Sequence, residues 1–141
     1  GCGAIKDMFD ARTIGVNTIV APMIESPYAV KKYIRSTKMV FPEEEWKETK
    51  FLINIETITG FNCLSKILNS DFANDLTGIV LGRTDMAGSL GMNKDDVNGD
   101  KMLELAQSIA EKTVKYNKEL VLGGGISVES LPFFRCVLPG A

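Results

Sequence analysis

The 141-residue sequence contains no histidine, no C-x-x-C motif and no run of lysine or arginine longer than two residues. Histidine is the commonest general base and metal ligand, so any chemistry here has to use carboxylates, amides, the backbone or a bound metal ion. The three cysteines, Cys2, Cys63 and Cys136, are odd in number and widely spaced. This pattern favours reduced thiols over a zinc site or a disulfide framework.

The charge and hydropathy of the chain also exclude several classes of partner. A net charge of −2 without a basic cluster disfavours nucleic acid and anionic membranes. No apolar run reaches the length of a membrane span, and no signal peptide opens the sequence. The reduced thiols lead us to expect a cytoplasmic location. The chain is 45% hydrophobic and 24% charged, an ordinary globular balance that predicts one domain over residues 1–141.

The hydrophobic pattern alternates short apolar runs with amphipathic segments, in the order α-β-α-β-α-β-α-β-α. Nearly continuous apolar strands separated by helices are typical of a parallel sheet in an α/β protein. A charged connection spans 41–50 and includes a helical turn with Trp46, and a glycine-bearing loop is predicted for 86–100. The predicted strands are 17–26, 51–56, 76–82 and 119–123, and the predicted helices are 4–12, 27–37, 61–68, 101–116 and 127–134.

Two of these strands are followed by carboxylates. Glu56 closes the second predicted strand, and Asp85 follows the third. In a parallel sheet both acids lie at the carboxyl edge, where α/β proteins place their active sites. Asn54 is two residues before Glu56, so the two side chains project from the same face of the strand. Two convergent carboxylates suit a hard divalent cation such as Mg²⁺ or Mn²⁺, although other divalent cations remain open.

Each acid also has a purely structural interpretation. Glu56 could cap the helix that begins near Gly60, or it could pair with an arginine or lysine. Asp85 could be the N-cap of an ordinary βα turn. Glu25 also ends a strand at the same edge, and we interpret it as a surface acid or one that supports the site.

Two glycine-containing turns lie at the same edge. Residues 82–85, with the sequence GRTD, expose backbone N–H groups that can hold a carboxylate or phosphate, and Arg83 could add a bidentate contact. Residues 123–125 are three consecutive glycines before Ser127, a pattern similar to the phosphate-binding turns of many barrels. A simple tight turn explains the second segment equally well.

Three segments resemble one known family: PMIES, INIETITGFNCLSKIL and GIVLGRTDMAGSLG look like the HpcH/HpaI aldolase/citrate lyase family of (β/α)₈ barrels. The resemblance covers nearly the whole chain in order. It implies that this chain is the later part of a TIM barrel, with about four parallel strands. Because a full barrel needs roughly 250 residues, we expect the first strands and the last strand to be missing from residues 1–141.

The resemblance also assigns roles to residues. The family's metal-binding Glu and Asp match Glu56 and Asp85, and Asn54 takes the place of an amide in the pocket. In the family's G-P-x-D-L turn the backbone contacts the substrate carboxylate, which carries over to Gly82, Thr84 and Asp85. Arg83 departs from the commoner proline, and this departure favours a larger or more anionic ligand.

The activity implied is metal-assisted carbon–carbon cleavage of a 2-oxo acid or acyl-CoA-type substrate. A 2-oxo acid such as pyruvate would chelate the ion, which stabilises the enolate formed on cleavage. The family's essential arginine and, in some members, a histidine base belong to earlier strands that we expect this chain to lack. Family members are usually homo-oligomers, so the same assembly is expected here.

Two other functions remain open at the level of sequence. The chain could be a non-catalytic barrel fragment that binds metal or self-associates, since an open half-barrel has two unpaired strand edges. It could also be a phosphate-binding barrel isomerase or synthase that uses the glycine turn at residues 123–125.

Overall fold

The computed structural model describes residues 3–138. Cys2, the first of the three cysteines, lies outside this range, as do residues 139–141. Three short 3-10 turns occur at Asp71–Asp75, Lys94–Asn98 and Val128–Ser130. The strands are β1 (Thr18–Ala21), β2 (Lys50–Ile55), β3 (Gly78–Gly82) and β4 (Glu119–Gly123). The helices are α1 (Ile5–Ile14), α2 (Pro27–Val40), α3 (Glu43–Glu48), α4 (Ile58–Leu68), α5 (Arg83–Ser89), α6 (Asp100–Lys115) and α7 (Leu131–Val137).

The four strands form one parallel sheet in the order β1-β2-β3-β4, so each strand pairs with its neighbour in the chain. At least one helix lies between each strand and the next, as parallel pairing requires. Ser26 begins α2 by accepting a hydrogen bond from the Ala29 N–H at 3.2 Å, with Pro27 as the first helical residue. The predicted α/β architecture of four parallel strands alternating with helices is confirmed.

The helices cover only one face of this sheet. Phe51, Ile53 and Ile55 alternate along β2 and belong to the same buried cluster as the apolar residues of the helices. Leu52 is also buried but does not belong to that cluster, because it projects from the opposite face. The side chains that follow the same alternation as Leu52 therefore line the second face.

The second face has an apolar middle between two polar ends. Val20 and Val121, on the two outer strands, are each 43% exposed. At the amino end the Lys50 ammonium donates to the Glu119 carboxylate at 2.7 Å. At the carboxyl end the last side chain of β2 on this face is Asn54. In a closed barrel such a face is the interior.

Parts of the predicted secondary structure are wrong. Residues 83–89, mostly assigned to a long loop, form α5, because neither Gly88 nor the polar composition breaks the helix. Strand β1 ends at Ala21 instead of extending to residue 26. Met102, Ala106 and Ile109 on α6 are buried, whereas Val114 is exposed. Within the described range, Cys63 and Cys136 are free, and no helix has the length and apolarity needed to cross a membrane.

Gly78 offers a direct test of the close β3–β4 contact. A Cβ atom at this position would lie 2.7 Å from the Glu119 carbonyl oxygen, which belongs to the neighbouring strand and cannot yield easily. We expect Gly78→Ala to lower the free energy of unfolding by about 2 kcal/mol, measured by urea denaturation. Gly88→Ala is the matched control: a Cβ there has no atom within 4 Å, and alanine should stabilise the helix by up to about 1 kcal/mol. Equal midpoints for the two variants would contradict this account of the sheet.

Candidate metal and substrate site

The site begins with the end of β2. Because Ile53 and Ile55 pack towards the helices, Asn54 and Glu56 lie on the other face, as the spacing predicts. The Asn54 amide nitrogen donates to Oε2 of Glu56. Glu56 is only 6% exposed, so its carboxyl group depends on neighbouring donors instead of solvent.

The second donor to Glu56 is a backbone group that the sequence did not indicate. The Met23 N–H donates to Oε1 of Glu56 at 2.8 Å. Met23 has a φ of +53°, a left-handed conformation that costs a non-glycine residue on the order of 1 kcal/mol. The next residue, Ile24, donates its N–H to the Asn54 carbonyl at 3.2 Å. The segment after β1 therefore turns so that one of its N–H groups faces the acid.

Asp85 and Glu56 are brought together, as expected for two acids at one edge of the sheet. Burial is the main cause that raises the pKa of Glu56 above its ordinary value, and the Met23 hydrogen bond acts in the opposite direction. Asp85 raises the pKa of Glu56 further, through its negative charge and through a side-chain hydrogen-bonding contact. The Asp85 carboxyl group therefore lies close enough to that of Glu56 to affect its pKa.

The structural interpretations of these acids are not supported. Thr57, and not Glu56, caps α4, because its hydroxyl oxygen accepts the Gly60 N–H at 3.1 Å. Among the side chains that the structure describes, no arginine or lysine makes an ion pair with Glu56. Asp85 lies within the first turn of α5 and is not its N-cap, which is Gly82. The structural task that Glu56 does have is to accept the Met23 N–H and the Asn54 amide.

Gly82 allows β3 to approach the two polar side chains of β2. A Cβ atom at this position would lie 2.8 Å from Oε2 of Glu56 and 3.0 Å from Oδ1 of Asn54. Strand β3 continues into α5 without a loop, so Gly82, Thr84 and Asp85 follow one another around the site. Thr84 is half-buried and Asp85 is exposed.

Arg83 differs from its sequence-based prediction. Its side chain is fully buried and donates to the carbonyl oxygens of Gly123 and Gly124 at 3.1 and 2.7 Å. It also donates to Oδ1 of Asn98 at 2.7 Å. The guanidinium is thus engaged inside the protein and is not exposed to a ligand, in contrast to the predicted contact with a bound carboxylate or phosphate.

The glycine turn at residues 123–125 packs against the beginning of α5. Gly124 has a φ of +78°, and a Cβ there would lie 2.6 Å from the Thr84 nitrogen. Only glycine can occupy this position without strain. Carbonyl groups of the glycine turn face Arg83, the first residue of α5. The evident task of the turn in this structure is therefore to support α5. Glu25 is exposed and accepts a hydrogen bond from Thr57 at 2.6 Å.

The oxygen atoms at this edge fit a divalent cation. Oδ1 of Asn54 is buried and has no hydrogen-bond partner, although it lies beside the Glu56 carboxylate. A buried oxygen without a partner and two nearby carboxylates form a set of hard donors that a hydrated Mg²⁺ or Mn²⁺ ion prefers. Within residues 3–138 no group of three acidic, histidine or cysteine side chains converges, so a cation here would take two carboxylates from this chain.

One family of known proteins matches most of the chain. The model of the HpcH/HpaI aldolase/citrate lyase family matches residues 3–119, which is most of the chain. The chain belongs to this family. The resemblance seen in the sequence is therefore confirmed. No curated protein matches the chain.

Several solved structures share the fold of this chain at low sequence identity. The citrate synthase SbnG matches with a TM-score of 0.74 and 17% identity, covering 94% of this chain and 58% of its own. An HpcH/HpaI aldolase from Desulfitobacterium hafniense DCB-2 matches with a TM-score of 0.74 and 13% identity, covering 94% and 57% respectively. RipC from Yersinia pestis matches with a TM-score of 0.68 and 18% identity.

These matches confirm the predicted fold class, a partial (β/α)₈ barrel of four parallel strands. This chain spans less than three-fifths of the length of the chains in these solved structures. The open second face of the sheet corresponds to what would be the interior of the closed barrel. Glu56 and Asp85 lie at the carboxyl edge, where TIM barrels place their active sites.

Proposed function

We propose that this protein is a divalent-metal-dependent carbon–carbon lyase acting on a 2-oxo acid or an acyl-CoA-type substrate. The observation that supports the proposal is the buried Glu56 carboxylate with the unpartnered amide oxygen of Asn54 beside it, and Asp85 near enough to raise the pKa of Glu56. Membership of the HpcH/HpaI aldolase/citrate lyase family supports a lyase-type function in general terms. The metal, the substrate class and the residue roles are our proposals.

Glu56 and Asp85 would hold Mg²⁺ or Mn²⁺, and Asn54 would orient the Glu56 carboxylate. The Met23 N–H fixes the other oxygen of Glu56, so the acid is held in one orientation before a cation arrives. When bound, the cation supplies Lewis-acid polarisation of the substrate's oxo group. Binding would also neutralise the charge of Glu56, whose pKa is raised mainly by burial and further by the nearby Asp85.

The backbone of residues 82–85 would hold the substrate carboxylate. The first N–H groups of a helix have no partner within the helix, so those of Thr84 and Asp85 would donate hydrogen bonds to an anion. Gly82 allows the close approach to Glu56 that would bring this turn beside the cation. The Arg83 side chain takes no part in this contact, because it is buried beneath the turn.

Solvent deuterium exchange into the methyl group of pyruvate tests the proposal. We expect the protein to catalyse this exchange only with Mg²⁺ or Mn²⁺ present, since proton removal at carbon needs the oxo group polarised. Asp85→Asn should reduce the exchange rate by roughly 100-fold or more, because removing one transition-state electrostatic contact typically costs this much. Proton NMR in D₂O measures both rates.

The matched control is Asp71→Asn, which removes an exposed carboxylate from the 3-10 turn that precedes β3. Its exchange rate should equal that of the unmodified protein. Metal binding that requires Asp85 without any exchange would favour the non-catalytic, metal-binding alternative. Exchange that proceeds equally well without metal, or in Asp85→Asn, would exclude the proposed mechanism.

A further inference from the structure

Arg83 is the largest fully buried side chain of the described protein. Its Nη1 donates to the Val97 carbonyl at 3.2 Å and to Oδ1 of Asn98 at 2.7 Å. Its Nε donates to the Gly123 carbonyl, and its Nη2 donates to the Gly124 carbonyl. Every nitrogen of the guanidinium is therefore engaged by an oxygen of the protein.

The surroundings of this charge contain no carboxylate partner among the described side chains. The guanidinium carbon lies 4.9 Å from the ring centre of Phe133 and 4.8 Å from that of Phe134, both on α7. Burial lowers the pKa of Arg83 below its ordinary value. A buried charge without an ion pair is costly, so it persists only where dipoles and aromatic faces satisfy it completely.

The acceptors of Arg83 come from two segments that follow α5 in the chain. One is the 3-10 turn Lys94–Asn98, and the other is the turn at residues 123–125 that follows β4. Arg83 is itself the first residue of α5, two residues before Asp85. Its side chain therefore joins these two segments to the first turn of α5, which carries Asp85.

We propose that Arg83 is a positioning residue that fixes the first turn of α5, and with it Asp85, against Glu56. This inference rests on the proposed function, since it gives Asp85 its role as a metal ligand. It also assigns Arg83 a task different from contact with an anionic substrate. Loss of the guanidinium should therefore loosen the placement of Asp85 while leaving both carboxylates present.

Calorimetric titration with Mn²⁺ tests this assignment on Arg83→Met. We expect the folded variant to bind Mn²⁺ at least about tenfold more weakly, the range seen when groups that orient metal ligands are removed. Arg135→Met is the matched control, because it makes the same change at an exposed position on α7 and should bind as the unmodified protein does. An unchanged affinity in folded Arg83→Met would overturn the proposal.

A milder pair of variants covers the case in which Arg83→Met does not fold. Asn98→Ala removes one acceptor of the guanidinium, whereas Asn98→Asp keeps an acceptor at that place. We expect Asn98→Ala to weaken Mn²⁺ binding about twofold to fivefold and Asn98→Asp to retain it, since a charge-assisted hydrogen bond is at least as strong as a neutral one. Equal affinities for both variants would count against the proposal.

Amide hydrogen exchange separates this inference from the proposed function. In the metal-free protein, Arg83→Met should accelerate exchange at Ala87 on α5 at least tenfold more than at Ile109 on α6, because only α5 loses its tether. A protein that binds no Mn²⁺ but shows this selective effect would contradict the metal function and leave the positioning role standing. Equal acceleration at both sites would show that Arg83 contributes only to global stability.

Discussion

Glu56→Gln is expected to weaken Mn²⁺ binding by at least about 100-fold while leaving the fold intact. The substitution removes one of two carboxylates from the proposed site, and a neutral amide oxygen is a much weaker ligand for a hard cation. The glutamine oxygen can still accept the Met23 N–H, so the segment after β1 keeps its anchor. Isothermal titration calorimetry measures the affinity.

The same variant should be at least as stable as the unmodified protein when metal is absent. Burial and the nearby Asp85 both raise the pKa of Glu56, which means that its charged form is disfavoured in the folded state. A neutral side chain of nearly equal size removes this penalty, and urea denaturation in a chelating buffer measures the result. A loss of Mn²⁺ affinity without a loss of stability is the pattern expected of a residue that binds a ligand.

Glu25→Gln is the control for this experiment. Glu25 ends the same segment that contains Met23, is exposed, and accepts its hydrogen bond from the Thr57 hydroxyl. Because glutamine can accept that bond as well, Mn²⁺ affinity should not change. If Glu56→Gln also retained full affinity, Glu56 and Asp85 would not be the metal site, and the lyase proposal would lose the observation that supports it.

Gly82→Ala is the second variant with a large expected effect. The added Cβ would lie 2.8 Å from both Cβ and Oε2 of Glu56, and 3.0 Å from Oδ1 of Asn54. The backbone at Gly82, with a φ of −84°, accepts alanine without strain, so the clash with these two side chains is the source of the effect. We expect Mn²⁺ affinity and pyruvate exchange to fall by at least about 100-fold, with a stability loss of about 1–3 kcal/mol.

Gly123→Ala distinguishes this specific clash from a general effect of adding a methyl group. Gly123 pairs with Gly82 across the β3–β4 ladder, and a Cβ there would meet its nearest atom, the Leu81 carbonyl oxygen, at 3.6 Å. That distance is an ordinary contact, so binding and exchange should remain close to those of the unmodified protein. Similar losses of binding and exchange in both variants would show that any methyl group added at these strand ends is disruptive. The contact with Glu56 would then not be the specific cause.

The periodic features of the fold were predictable because they depend on neighbours in the sequence. Alternation along β2 placed Asn54 and Glu56 on one face, and parallel pairing placed Asp85 at the same edge. These two rules need only the strand positions, which the apolar runs indicate clearly. The carboxylate pair could therefore be predicted from the sequence before the structure was known.

The features that the sequence did not indicate depend on contacts between distant segments. The burial of Arg83 results from oxygens of Asn98 and of the glycine turn at residues 123–125, and no local pattern identifies them as its partners. The Met23 N–H reaches Glu56 only because the backbone adopts a rare conformation after β1. An arginine beside a glycine turn suggested anion binding, whereas tertiary packing satisfied it internally.

The helix α5 escaped prediction for a different reason. Gly88 and Ser89 lower its helix propensity, and seven residues are too few for a clear amphipathic pattern. Burial of Met86 and Ala87 stabilises the helix instead. Packing thus overrode a weak local preference.

The aromatic pair Phe133 and Phe134 connects α7, the last helix that the structure describes, with the residues around Arg83. Both rings lie beyond residue 119, where the match to the family model ends, yet they lie against the guanidinium that we propose positions Asp85. Relatives with a different α7 would therefore have the same two acids, Glu56 and Asp85, but in a different relative position. If the proposed metal function holds, substitutions in α7 would then change metal affinity without touching either proposed ligand.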